Sequence, residues 1–465
     1  MWKLVSMMKS TTTPSRDFAI EVVKTLKRNG FQAFWAGGCV RDLLLGCEPN
    51  DYDVATDARP DQVKPLFRKS CEVGMSFGVL RVLGPGSAGD VEVATFRSDG
   101  EYLDGRRPET VRYSTPQDDA ARRDFTINGM FFDPITSNLF DFVGGEADLQ
   151  QRVLRAIGEP AERFQEDKLR LLRAARFASR FNLTVEPRTK DAIRAVAMSI
   201  RVVSPERIAQ EFRKMLIHSS RAEAMRLCRE LGLIEAIFPP VHPLESEISE
   251  SFQEPSEQVS FKVLRALPDE LEFPIAMAAL WLDLNDFRNE DPFTSSKSTS
   301  LELDETGKKE IEEIGRRLRW SNMEIDKVGW LVSRRSVLNK PKRLSEAALK
   351  RLLSDPWVGD LLTLHRAIAV ANHLETSHID YCRAYLEDQP RGPIDPPALV
   401  SGDDLRLAGL KPGPMFAVYL RDVRSAQLDR LIGSKRQALE WLARRVLNQT
   451  GERLPIDLLA VGGRS

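Results

Sequence analysis

Two aspartates one residue apart, Asp51 and Asp53, follow a glycine pair and an arginine in the run Gly37-Gly38-Cys39-Val40-Arg41-Asp42. In a strand, residues two apart point to one face, so the two carboxylates are expected to project together. Like charges so placed repel unless a cation lies between them, and hard oxygen ligands suit Mg2+. Adjacent glycines let the backbone approach a phosphate closely, and Arg41 offers a fork of donors to triphosphate oxygens or a ribose. The chemistry implied is a metal-dependent reaction at phosphorus, with Asp51 and Asp53 as metal ligands. Glu92 stands in the alternating run Val91-Glu92-Val93-Ala94-Thr95-Phe96, where an inward carboxylate is explained by joining the same ion cluster, with Asp90 as the competing ligand.

A second group of charges begins at Arg122-Arg123-Asp124, ahead of an apolar stretch, and Arg123 suits a phosphate. A third is the run Arg163-Phe164-Gln165-Glu166-Asp167-Lys168-Leu169-Arg170, continued by Arg173 and Arg176. Steps of three are expected to place Asp167, Arg170 and Arg173 on successive turns of one helix. An ionised aspartate only accepts hydrogen bonds and an arginine only donates them. Cytosine and adenine both offer an exocyclic amine beside a ring-nitrogen acceptor, so one Asp/Arg pair satisfies either base. Uracil and guanine present the reverse order and leave buried groups unpaired.

These residues need a scaffold that holds strand ends and helix faces together. From Phe18 to about Leu154, short β-branched runs alternate with turns, as in 31–36, 51–55, 79–83 and 91–96, which predicts an α/β head. After Gly158 the apolar spacing becomes helical, with helices expected over 167–181, 204–217 and 221–231. The fold class expected is α+β: an N-terminal α/β head followed by an all-helical neck, body and tail. The boundaries read as 1–157, 158–232, 233–388 and 389–465. Polar or proline-rich stretches at 239–256, 289–306 and 389–397 read as loops or linkers.

In this order and spacing, the three charged groups resemble the class II branch of the nucleotidyltransferase superfamily, which contains CCA-adding tRNA enzymes and bacterial poly(A) polymerases. The resemblance covers the whole head. It implies that Gly38 and Arg41 touch the incoming nucleotide, that Asp51 and Asp53 bind magnesium, and that Glu92 is the third carboxylate. It further implies that Asp167 and Arg170 act as an amino-acid template for CTP and ATP, with Arg173 and Arg176 lining the nucleotide site. Arg123 and Asp124 belong to the ribose and triphosphate region. The charged, glycine-punctuated stretch 98–110 corresponds to a loop kept by members that add the terminal A. The run Leu399 to Pro414 is similar to the tail of bacterial CCA-adding enzymes.

The expected activity is template-independent addition of CMP and AMP to a tRNA 3′ end from CTP and ATP, with release of pyrophosphate. An A-adding tRNA enzyme and a poly(A) polymerase are the rivals within the class, and a noncatalytic RNA-binding relative is the rival outside it. Lys+Arg at 67 against Asp+Glu at 68 gives no global basicity, so any RNA site must be a local basic surface. The arginine- and lysine-bearing runs 201–214, 316–319 and 334–350 read either as such faces or, equally well, as solvated helix surfaces. Five cysteines without a C-x-x-C pair argue against a disulfide framework or zinc cluster. All five histidines lie outside the head, leaving metal and carboxylate chemistry for the transfer. No run approaches the ~18 apolar residues of a membrane span, and the chain is expected to be cytoplasmic.

Overall fold

The computed structural model describes residues 13–74, 78–99, 111–238, 258–284, 303–339, 341–387, 394–451 and 454. The chain divides into two compact units, Met1–Glu247 and Ile248–Ser465. All the residues singled out above for chemistry belong to the first.

The first unit is built on a seven-stranded mixed sheet. Its strands are β1 (Ala33–Ala36), β2 (Asp53–Thr56), β3 (Ser70–Gly74), β4 (Val79–Leu83), β5 (Asp90–Thr95), β8 (Met130–Asp133) and β9 (Asn138–Asp141), in the order β3-β4-β5-β2-β1-β8-β9. Strands β6 (Arg97–Asp99) and β7 (Val111–Tyr113) form a separate antiparallel pair. Only β2 and β5 run parallel within the large sheet, and their register sets Asp53 directly beside Glu92. All four residues of the interior strand β1 are buried, as expected when both faces of a sheet are covered. On one face Phe34, Phe96 and Phe131 pack together with Ala36, Ala55 and Ala120. On the other, the Trp35 ring lies 4.6 Å from that of Tyr52.

Helix α1 (Pro14–Arg28) starts on Thr13, whose hydroxyl accepts from the Arg16 amide, and has proline in its first turn, where a missing N–H is harmless. Its stripe of Ala19, Val22, Val23 and Leu26 is fully buried. Each valine or leucine so buried contributes about 1.5–3 kcal/mol. Beyond the sheet come α2 (Gly38–Leu44), α3 (Pro116–Ala121), α4 (Gly145–Gln150), α5 (Pro160–Glu166), α6 (Arg170–Arg180), α7 (Pro187–Val196), α8 (Pro205–Leu216), α9 (Arg221–Glu230) and α10 (Leu233–Ile237).

The second unit is helical in its described residues, from Val259–Ala266 to Lys435–Thr450. Near its C-terminal end Val400, Leu405, Tyr419, Val423, Leu439, Leu442 and Val446 share one core. The Lys350 ammonium caps the Leu428 carbonyl at 2.7 Å, and Asp429 accepts from the Ala347 amide at 2.6 Å, tying two of its helices together.

An α/β head followed by helices is therefore observed, with three local corrections. Asp51 lies in a bend before β2, not on the strand with Asp53, because pairing with β5 begins only at Asp53. Asp167 is not on a helix with Arg170. It has extended backbone between α5 and α6, where its carboxylate turns back onto the Leu169 amide. After Gly158 one short strand remains among the described residues, Thr184–Val185, pairing in parallel with Val153–Leu154. Of the expected loops, residues 100–110, 239–256, 289–302 and 389–393 lie outside the described residues.

Candidate active site

The site forms where the strand ends of the sheet meet α2 and α6. Gly37, between β1 and α2, has φ +71°, a left-handed conformation that favours glycine. A Cβ there would lie 2.7 Å from Arg123 Nη1, so the missing side chain is also what admits that guanidinium. Gly38 opens α2 with no such crowding.

Asp53 is open to solvent at the start of β2, yet protein crowds around its carboxyl. Loss of hydration and the neighbouring Glu92 push it up to about 6, Arg123 pulls it down, and Asp51 adds a smaller upward push. Asp53 thus feels both of the other carboxylates expected to share its ion. Glu92 lies on the less buried face of β5, and its Oε1 takes a 2.9 Å bond from Arg81 on β4. Among the described residues, no three metal-ligating side chains converge closely enough to hold one ion. Asp90, the alternative to Glu92, is exposed at the strand's first position.

Arg41 is nearly buried. Its Nε and Nη2 donate to Asp42 Oδ1 at 2.9 and 2.7 Å, and its Nη1 donates to Asn128 Oδ1 at 2.7 Å. Burial lowers its pKa, and Asp42 opposes that shift. Asn128 also donates to Asp124 Oδ1 at 3.0 Å, so one amide joins both charged groups. Asp124 is buried and receives Arg173 Nε on its other oxygen at 2.8 Å. Burial alone would raise its pKa, but Arg173 and the Asn128 amide hold it at about 2.

Arg123 hangs on a residue absent from the sequence reading. Asp119, 1% exposed, takes Arg122 on Oδ1 at 2.9 and 2.6 Å and Arg123 on Oδ2 at 3.2 and 2.9 Å. Its burial would raise the carboxyl, yet the two guanidiniums hold it below the usual range. A position three residues before a known arginine and four before another, on a helix, was the available signal.

Asp167 and Arg170 come to the same region held by different neighbours. Asp167 Oδ1 accepts from the Leu169 amide at 3.0 Å and Oδ2 from Arg207 of α8 at 2.7 Å. Arg170 Nη1 donates to Glu166 at 2.5 Å and to the Arg163 carbonyl at 3.0 Å, while Nη2 reaches the Arg122 carbonyl at 3.1 Å. Each keeps hydrogen-bonding capacity for a ligand, since a carboxylate oxygen has two lone pairs and a guanidinium five N–H groups. Arg176 bonds Glu211 of α8 at 2.5 Å, and both are buried. Arg207 and Glu211, four apart on α8, were missed because nothing in their own helix points to α6.

Residues 33–155 match the family described as the Poly A polymerase head domain, and residues 182–244 match the probable RNA and SrmB-binding site of polymerase A. The chain is 37% identical over 255 residues to Poly(A) polymerase I of Haemophilus influenzae, covering 51% of this chain and 56% of the relative. It is 41% identical over 216 residues to the CCA-adding enzyme of Geobacillus thermodenitrificans, covering 46% and 53%. The match thus spans about half the length of these relatives. The crystal structure of the Bacillus stearothermophilus CCA-adding enzyme in complex with CTP shares the fold, with TM-score 0.67 and 23% identity over 95% of this chain and 100% of that one. The Thermotoga maritima CCA-adding enzyme complexed with tRNA does so at TM-score 0.60 and 19% identity, over 96% and 98%.

Proposed function

We propose that this chain, whose residues 33–155 belong to the Poly A polymerase head-domain family, is a template-independent nucleotidyltransferase that adds CMP and AMP to a tRNA 3′ end. The observation that carries the reading is the registered pair Asp53 and Glu92, on parallel strands, with the cationic Arg123 acting on Asp53. A raised carboxyl among like charges is the environment a divalent cation relieves, and the donors are all hard oxygens. Asp51 and Asp53 would hold Mg2+, with Glu92 as the third carboxylate. A metal bound there supplies charge balance at phosphorus and a lowered pKa for the RNA 3′ hydroxyl.

The chain's own residues do the rest. Arg41 and Arg123, each fixed by a carboxylate, would bind and orient the triphosphate of CTP or ATP so that the α-phosphate meets the 3′ hydroxyl in line and pyrophosphate departs. Asp124, Arg173 and Arg176 would brace the sugar and base. Asp167 would accept from the exocyclic amine of cytosine or adenine while Arg170 donates to the ring nitrogen. In this reading 1–157 is catalytic, 158–232 reads the base, and 233–388 with 389–465 grips tRNA through backbone contacts in the cytoplasm.

The test uses tRNA transcripts ending before the tail, after C and after CC, with CTP, ATP or both. Addition of C, C and one A is the expected result. Relatives named poly(A) polymerase and CCA-adding enzyme match comparable lengths of the chain, which keeps a second reading in view. Long A tails on any RNA would establish the polymerase instead. A single A on the CC-ended transcript alone would make it an A-adding enzyme, and RNA binding without transfer would make it a noncatalytic relative.

A further inference from the structure

Two rings and four guanidiniums form a continuous column along α6. Phe177 and Phe181, one turn apart, stack with centroids 6.2 Å apart and planes 20° from parallel. Arg176 lies 4.2 Å and Arg173 5.1 Å from the centre of Phe177. Arg41 reaches both rings, at 5.2 Å from Phe177 and 4.2 Å from Phe181. Arg180 lies 5.3 Å from Phe181.

Three of these cations have a carboxylate each: Asp42 for Arg41, Asp124 for Arg173 and Glu211 for Arg176. Arg180, exposed at the solvent end of the column, pairs with no carboxylate among the described residues. Its charge acts on Arg41, whose pKa burial lowers first and Arg180 lowers further. The column therefore carries a surplus cation at its open end, held against a ring face that limits its motion. A planar guanidinium so placed matches the oxygens of a phosphate and needs little further ordering to bind it.

We infer that Arg180, steadied by Phe181, is a phosphate-binding subsite that continues the Arg41 end of the nucleotide site. The inference rests on the proposed transfer only in taking Arg41 as the nucleotide's neighbour. The phosphate belongs either to the β,γ end of the nucleotide or to the RNA backbone, and the experiment separates the two.

Full-length wild type, Arg180→Gln and Arg28→Gln are compared. Arg28 is an exposed arginine at the C-terminal end of α1 in the same unit, so its substitution removes the same charge elsewhere. Arg180 is solvent-exposed at a helix end, and matched thermal unfolding checks that R180Q remains folded. Inorganic tripolyphosphate binding is measured by calorimetry, and KM is measured for CTP and for CC-ended tRNA.

A nucleotide phosphate at the subsite raises the tripolyphosphate dissociation constant and the CTP KM together in R180Q, by about five- to tenfold, with the tRNA KM unchanged. An RNA phosphate raises the tRNA KM and reduces the salt slope of RNA binding by about one. R28Q matches wild type in either case. R180Q within twofold of wild type in all three measurements overturns the subsite. A wild type that binds tripolyphosphate through Arg180 but transfers no nucleotide overturns the proposed function and leaves the subsite standing. If neither protein binds tripolyphosphate and neither KM responds, the subsite falls.

Discussion

Asp53 and Glu92 sit side by side as registered residues of parallel strands β2 and β5, and loss of hydration together with this adjacency disfavours the ionised form of Asp53. Folded Asp53 holds its proton to about pH 6, against 3.8 for the ordinary side chain, so the fold binds more protons than the unfolded chain between those values. That contribution to stability is present at low pH and is lost as pH rises through 6. Asp53→Asn should therefore unfold at a slightly higher temperature than wild type at pH 7 while losing transfer activity by more than about a hundredfold. Chelation should abolish wild-type activity, and added Mg2+ should raise the wild-type melting temperature but not that of D53N. A fully active D53N would remove Asp53 from the chemistry.

Asp119 is the shared anchor of Arg122 and Arg123. Asp119→Ala leaves two guanidiniums without their carboxylate, and breaking a buried pair costs about 3–5 kcal/mol. Urea unfolding should show that loss. Asp119→Asn, which keeps one acceptor, should fold and raise KM for CTP and ATP more than it lowers kcat, with Asp119→Glu restoring part of the affinity. Unchanged nucleotide kinetics in a folded D119N would reduce Asp119 to a structural role.

Glu211 is 3% exposed and closes the bond from α8 to Arg176 on α6. Glu211→Ala should destabilise the first unit by about 3–5 kcal/mol, because Arg176 would stay charged and buried. The double substitution Arg176→Met with Glu211→Met should recover most of that stability without recovering activity. Additive losses in the double-mutant cycle would show that the two are not coupled.

His365, in the second unit, is buried beside His378, and its Nε2 has no hydrogen-bond partner among the described residues. Burial and the neighbouring histidine lower its pKa from 6.5 to about 3, so the fold keeps the ring neutral where the unfolded chain protonates it. Stability contributed by neutral His365 is present above pH 6.5 and is lost as pH falls toward 3. His365→Gln should flatten the acid limb of the stability curve between those pH values. An acid limb identical to wild type would mean that the ring titrates freely.

The strand 79–83 appears with the expected bounds, and the expected helix over 204–217 is observed as Pro205–Leu216, because periodic burial, and for the helix a proline in its first turn, are written into adjacent residues. The same locality made Asp51, Asp53, Arg41, Arg123, Asp167 and Arg170 legible as groups, each within one short run. It failed at the joins. Asp51 was read onto a strand that pairing does not reach, and Asp167 onto a helix that breaks at its own backbone.

What the sequence by itself determined is the inventory of charges, the order of the elements and an α/β head followed by helices. Only the tertiary structure decided which polar groups meet. Arg41 finds Asn128 across 87 residues, Arg173 finds Asp124 across 49, and Arg207 finds Asp167 across 40. Those distances are closed by the strand order of the sheet and the packing of α8 on α6, and side-chain type alone carries no information about either. Burial then gives each meeting its consequence, since a charge removed from water must take the partner that the fold presents.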